Sequence, residues 1–236
     1  YKKEKPDIVH HVGMKVMLWY SVPFMGIYCK KYDEFKSMLL DKSGDEKTFF
    51  ALDPRYKKVR EYLAEVYATA VREWGLDGLK LDFIDSFCLG NDEGKPVSER
   101  DHTSLEDAVD SLMTDTREAL LSVNPEMMIE FRQSYIGPAI RKYGNMLRVT
   151  DCPNDALINR TDSINMRLVS GNTAVHSDML MWHKNDKVET AAMQITNSIF
   201  CVPQISVRIQ SLKEDHKKML AFYLDFWRKN KEILTE

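Results

Sequence analysis

In the stretch WGLDGLKLDFIDSF, Trp74 to Phe87, an apolar run closes on two charged residues, Lys80 and Asp82, with Asp85 three positions further on. The residues before it, REYLAEVYATAVREW, carry apolar side chains at helical spacing, and Gly75 falls where a helix C-cap is expected. The quoted stretch is therefore predicted to open a strand. Leu76, Gly78, Leu79, Leu81, Phe83 and Ile84 make it nearly continuous in apolar character, as in a parallel strand covered on both faces. Lys80 and Asp82 are the exceptions, and residues two apart on a strand point to one side. Taken alone, the pair reads equally as a structural ion pair or as chemistry.

Working outward, the same unit recurs. Apolar runs at 15–22, 76–84, 127–132, 146–151, 173–179 and 204–209 read as strands. They alternate with helical patterns at about 61–74, 104–123, 137–144, 156–170 and 188–202, and an amphipathic helix closes the series at 213–234. Strands alternating with helices define a parallel α/β architecture. No repeat of fixed period and no low-complexity linker interrupts the series.

Composition narrows the function classes. With 236 residues, 44% hydrophobic, 29% charged and a formal net charge of -3, the chain is predicted to be globular. Lys and Arg are dispersed, and Lys30-Lys31 and Lys57-Lys58 read as solvated helix ends, so no nucleic-acid partner is expected. No run of about 18 apolar residues suggests a membrane span. Cys29, Cys88, Cys152 and Cys201 form no C-x-x-C pair, which argues against a zinc site or a disulfide scaffold and leaves the compartment open. Asn159-Arg160-Thr161 matches a glycosylation sequon, a triplet common by chance.

The polar residues are placed with more meaning. Lys80 and Asp82, Arg132 with Ser134, Asp151, and His176 with Asp178 all fall at or just past the C-terminal ends of four consecutive predicted strands. That is the end at which a (β/α)8 barrel builds its active site. Six units fall short of eight, so the expectation is a TIM-barrel-like domain in which either strands escape this reading or two units are absent at the N-terminal side.

The segments GMKVMLWYSVPFMG (13–26), LDPRYKKVREYL (52–63), GLDGLKLDFID (75–85) and RVTDCPNDA (148–156) resemble, in that order, the barrel of the α-galactosidase-like retaining glycoside hydrolases, clan D, nearest family 36. The resemblance implies that Gly13 to Trp19 is the family's third strand, that Lys80-Leu81-Asp82 on the fourth carries the nucleophile, and that Thr150-Asp151 on the sixth carries the acid/base. It implies one partial barrel over residues 1–236, without the β-sandwich domains that usually flank it. The turn after the fifth strand departs from the family: EFRQSYIGP stands where Gly and Cys are common.

On that assignment the expected activity is hydrolysis of α-glycosides with two carboxylates and no cofactor or metal. Asp82 attacks the anomeric carbon and Lys80 keeps it charged; Asp151 gives and then takes a proton. Trp19 is either core or a platform for a sugar face, Arg132 a partner of Glu130 or Asp151 or a sugar contact, and His176 and Asp178, on one side of their strand, an exposed polar pair that faces ligand rather than serving structure. Lys80, Trp19, Arg132, Ser134, His176 and Asp178 are thus the candidate substrate-binding residues, for an oligosaccharide or glycoside. Asp85, Asn154, Asp155, Trp182 and His183 rank below them, and the long polar segment after Asp82 is expected to form part of the substrate wall. Two other classes fit the residues less well: a non-catalytic carbohydrate-binding barrel, and a Schiff-base lyase or aldolase using Lys80, which Asp82 opposes by keeping the amine charged.

Overall fold

The structure is a computed structural model, described for residues 4–40, 47–89 and 98–235. The chain divides into two compact units, Tyr1–Ile129 and Glu130–Glu236. The boundary falls inside one strand, so each unit is taken in turn.

The first unit contains α1 (Glu4–His11), β1 (Met17–Ser21), β2 (Phe24–Gly26), α2 (Tyr32–Phe35), β3 (Phe49–Ala51), α3 (Lys57–Trp74), β4 (Gly78–Asp82), α4 (Leu105–Val123) and the start of β5 (Met128–Arg132). β1 and β4 are parallel and in register, Met17 opposite Gly78 through Ser21 opposite Asp82. Leu79 and Leu81 are buried, each worth roughly 1.5–3 kcal/mol of apolar transfer. Gly78 is needed for a packing reason: a Cβ there would lie 2.7 Å from Met17 Cγ and 2.8 Å from the Met128 carbonyl. α3 buries Val59, Leu63, Tyr67 and Val71, a four-residue stripe, and packs on α4. It ends at Gly75, whose φ of 64° is the left-handed C-cap expected from the sequence. Ser104 caps α4 by accepting from Asp107 N at 3.1 Å.

The second unit continues β5 and adds β6 (Met146–Arg148), α5 (Ala156–Ser170), β7 (Ala174–Leu180), α6 (Val188–Asn197), β8 (Val202–Ile205) and α7 (Glu214–Thr235). β5, β6, β7 and β8 pair in that order, all parallel. Leu180, Trp182, Ala191, Ile195, Leu212 and Leu220 form a core between β7, α6 and α7. Buried His216 is fixed within it: Trp182 Nε1 donates to its Nδ1 at 3.1 Å, leaving Nε2–H to the Asp186 carbonyl at 3.1 Å. Pro203 lies within β8, the end strand of the sheet formed by the described residues, a place where a missing N–H is tolerated.

All six parallel strands coincide with the runs read from sequence, and the chain is α/β. The differences are local. The run 146–151 ends as a strand at Arg148, because Thr150 N–H is taken by the Gln133 side chain at 3.1 Å instead of a neighbouring backbone. The segment 137–144 is a 3-10 helix, Pro138–Lys142, and the run 204–209 forms its strand earlier, at Val202–Ile205. The antiparallel pair β2–β3 and the short helices α1 and α2 were not anticipated. Within the expected substrate wall, residues 90–97 lie outside the described residues. The returning part is held down: Arg100 pairs with buried Asp53 at 2.9 Å, and Asp101 takes both Arg60 Nη1 and Nη2, at 3.0 and 2.6 Å.

Candidate active site

The candidate side chains fall into two groups, one in each unit. In the first, Asp82 ends β4 and is 4% exposed. Its Oδ2 accepts from Trp19 Nε1 at 2.8 Å and its Oδ1 from the Phe83 backbone N–H at 2.7 Å. The register of β1 and β4 places Trp19 opposite Lys80, two pairs before Asp82. Phe83 adopts φ of 63°, which turns the chain sharply after the carboxylate and aims its own N–H back at it. The rings of Trp19 and Phe83 meet edge to face, with centroids 6.0 Å apart. Trp19 nevertheless stays 51% exposed, so its indole is an open surface beside the carboxylate and not a core residue. Lys80 is half-buried, on the same side of β4 as Asp82. Asp85 is exposed in a 3-10 turn, Ile84–Ser86.

In the second unit, Arg132, Arg148 and His176 stand opposite one another on β5, β6 and β7. Buried Arg148 is the organising residue. One guanidinium nitrogen, Nη1, pairs with Asp178 Oδ1, and Nη2 with Asp151 Oδ1 at 2.6 Å. Asp178 Oδ2 accepts from Cys152 N at 2.6 Å, and Asp178 N–H donates to buried Asn159 at 3.1 Å. Asp178 is 0% exposed. Asp178 is therefore not part of an exposed, ligand-facing pair with His176: its two oxygens hold Arg148 and the turn carrying Asp151. His176 Nδ1 instead meets buried Glu130 at 2.9 Å. Asp151 itself is mostly exposed, its side chain 59% accessible.

The remaining candidates divide. Arg132 Nη1 donates to the Gln133 carbonyl at 2.8 Å and its guanidinium lies over the Tyr135 ring. Ser134 is exposed beyond the end of β5. Asp155 is a helix cap, accepting from Leu157 N and Ile158 N at 3.1 and 2.9 Å. Trp182 is core; His183 is exposed. The sequon residue Asn159 is buried under Asp178, no place for a glycan. Cys152 is equally enclosed, and burial, aided by the Asp178 charge, pushes its thiol up to about 12.

Arg148 and Gln133 were not singled out from sequence, and Glu130 was read only as a partner of Arg132, whereas it meets His176. A signal existed for Arg148 and Glu130: a charged residue in the middle of an otherwise apolar strand needs a buried partner. Nothing in the sequence marks the conformation of Phe83. Among the described residues, no group of three or more His, Cys, Asp or Glu converges as metal ligands do, and no helix is long and apolar enough to cross a membrane.

No protein-family model and no curated protein sequence matches the chain. Solved structures do. The crystal structure of the α-galactosidase from Lactobacillus brevis matches with a TM-score of 0.74 at 15% identity, over 98% of this chain and 32% of that one. The GH36 α-galactosidase from Geobacillus stearothermophilus matches with a TM-score of 0.75 at 12% identity, over 97% and 33%. The α-galactosidase from Thermus thermophilus, in complex with p-nitrophenyl α-D-galactopyranoside, matches with a TM-score of 0.71 at 16% identity, over 94% and 49%. The chain thus has an α-galactosidase-like fold, part of a TIM barrel, and spans about a third to a half of the length of these structures.

Proposed function

We propose that this chain carries the catalytic carboxylates of a retaining α-glycosidase acting on α-galactosides or close relatives. The observation that supports it most is the setting of Asp82: a buried carboxylate at the C-terminal end of a parallel strand, both oxygens accepting N–H donors, beside an exposed indole. A nucleophile needs one lone pair aimed at the anomeric carbon, and two directed donors remove the rotational freedom of the carboxylate plane.

The reaction runs by double displacement. An Asp82 oxygen bonds to the anomeric carbon as the glycosidic C–O bond breaks, and the Asp151 carboxyl passes its proton to the leaving oxygen. Asp151, now a carboxylate, takes a proton from water; the hydroxide oxygen bonds to the anomeric carbon and Asp82 leaves as the free carboxylate. Arg148, 2.6 Å from Asp151 Oδ1, positions that carboxyl. Lys80 balances the charge of Asp82. Trp19 and Arg132 contact the sugar.

The test uses Asp82→Ala in the intact protein with an aryl α-galactoside. Hydrolysis falls by several orders of magnitude, and azide restores part of it with a β-galactosyl azide as product, because the anion replaces the lost nucleophile on its own face. An undiminished rate rejects Asp82. Glycan binding without turnover in the unmutated protein points to a carbohydrate-binding barrel instead.

A further inference from the structure

Beyond the ends of β7 and β8 the second unit holds a cavity of about 340 Å³ whose floor is Trp182 and Leu212. Its rim carries His183, Lys184, Ser206 and Arg208. Neither Lys184 nor Arg208 is in an ion pair with any described residue. The nearest acidic side chain in sequence, Asp186, is occupied locally: its Oδ2 accepts the His183 backbone N–H at 2.8 Å and closes that turn. His183 Nδ1 in turn accepts from Asn185 N at 3.2 Å, which leaves Nε2 as the ring's outward nitrogen. The Trp182 N–H is spent on His216, so the indole offers the cavity an apolar surface only.

An apolar floor with two unpaired cations and a hydroxyl above it suits a sugar ring bearing a negative charge. The ring face covers Trp182 and Leu212; the acidic group meets the ammonium and the guanidinium fork. The position is also informative. β6, β7 and β8 run parallel, and Asp151, Lys184 and Arg208 each lie just past the C-terminal end of one of them. The cationic cavity and the carboxylate assigned as acid/base therefore belong to the same rim of this unit.

We propose that this cavity receives an acidic substituent, a carboxylate or a sulfate ester, on the glycan that the chain recognises. That the glycan is also cleaved rests on the glycosidase reading; the charge preference does not. Binding of galactose, galacturonic acid and galactose 6-sulfate is measured by titration calorimetry at low salt, on the intact protein and on a Lys184→Ala/Arg208→Ala variant. At least one acid binds about three- to tenfold more tightly than galactose, and which one distinguishes carboxylate from sulfate. The advantage disappears in the double variant and shrinks as salt is raised. A Lys184→Glu/Arg208→Glu variant reverses it, both side chains being exposed and free to change without loss of the fold. Equal affinity for all three sugars, no binding of either acid, or an advantage that survives both substitutions overturns the proposal. An advantage that persists in Asp82→Ala while no α-glycoside is ever hydrolysed by the unmutated protein leaves the proposal standing and removes the glycosidase reading.

Discussion

Trp19 Nε1 donates to Asp82 Oδ2 at 2.8 Å across the β1–β4 pair, so the indole that borders the candidate nucleophile also fixes its orientation. Trp19→Phe keeps the ring and removes the donor. A hydrogen bond to a charged group is worth about 1.5–3 kcal/mol, and kcat/KM for an aryl α-galactoside is expected to fall by roughly 10- to 100-fold with the thermal midpoint little changed. An unchanged kcat/KM would show that the Phe83 N–H suffices.

Arg148 sits between two carboxylates, one of them fully buried. Arg148→Met leaves the Asp178 charge without its partner and is expected to cost about 3–5 kcal/mol in denaturant unfolding. Adding Asp178→Leu removes the orphaned charge and recovers much of that loss. If the double variant is as unstable as the single one, the penalty comes from packing and not from charge.

Gly78→Ala tests the closeness of strand packing. The new methyl group would meet the Met17 side chain and the Met128 carbonyl well inside contact distance, and overpacking of this kind costs about 1–3 kcal/mol or more. Gly137→Ala is the control, since nothing lies within 4 Å of a Cβ there. Thermal unfolding should separate the two clearly; equal midpoints would contradict the packing around Gly78.

Acid sensitivity follows from two carboxylates of the first unit. The Arg60 guanidinium, through paired hydrogen bonds, holds the Asp101 carboxyl below its ordinary range. Partial burial pushes Asp77 upward, but the Val16 N–H and His10 outweigh it and hold it below its ordinary range too. A carboxyl depressed in the folded state stabilises fully above its unfolded value, near ~3.9, and loses that contribution as pH falls through the lower folded value. Asp101→Asn should therefore lower the denaturant midpoint at pH 7 and approach the unmutated protein near pH 3. A constant gap across that range would mean that Asp101 contributes without its charge.

The six parallel strands were legible because each is a short run rich in apolar residues; in β4, Leu79 and Leu81 lie buried on one face and Gly78 on the other. The strands β2 and β3 were not, being three residues long, too short for alternation to show. Sequence spacing placed Asp82 and Asp178 on definite sides of their strands, but a side is not a depth. Whether Asp178 meets water or an arginine depends on Arg148, one strand away in space and thirty residues away in sequence. The same limit hid the role of Gln133, whose side chain ends β6 by taking the Thr150 N–H. Helix α1 escaped notice because EKPDIVHH has no apolar stripe of useful width.

Of the four tryptophans, Trp19 is the one that is exposed; Trp182 is buried, and Trp74 and Trp227 are intermediate. The candidate nucleophile therefore comes with its own optical label. Iodide or acrylamide in the solvent reaches Trp19 in preference to the other three, so the quenchable part of the intrinsic emission reports on the surroundings of Asp82. Anything that seats itself over that carboxylate shields the indole from the quencher, and occupancy can be followed by light alone, without a chromogenic substrate and without turnover.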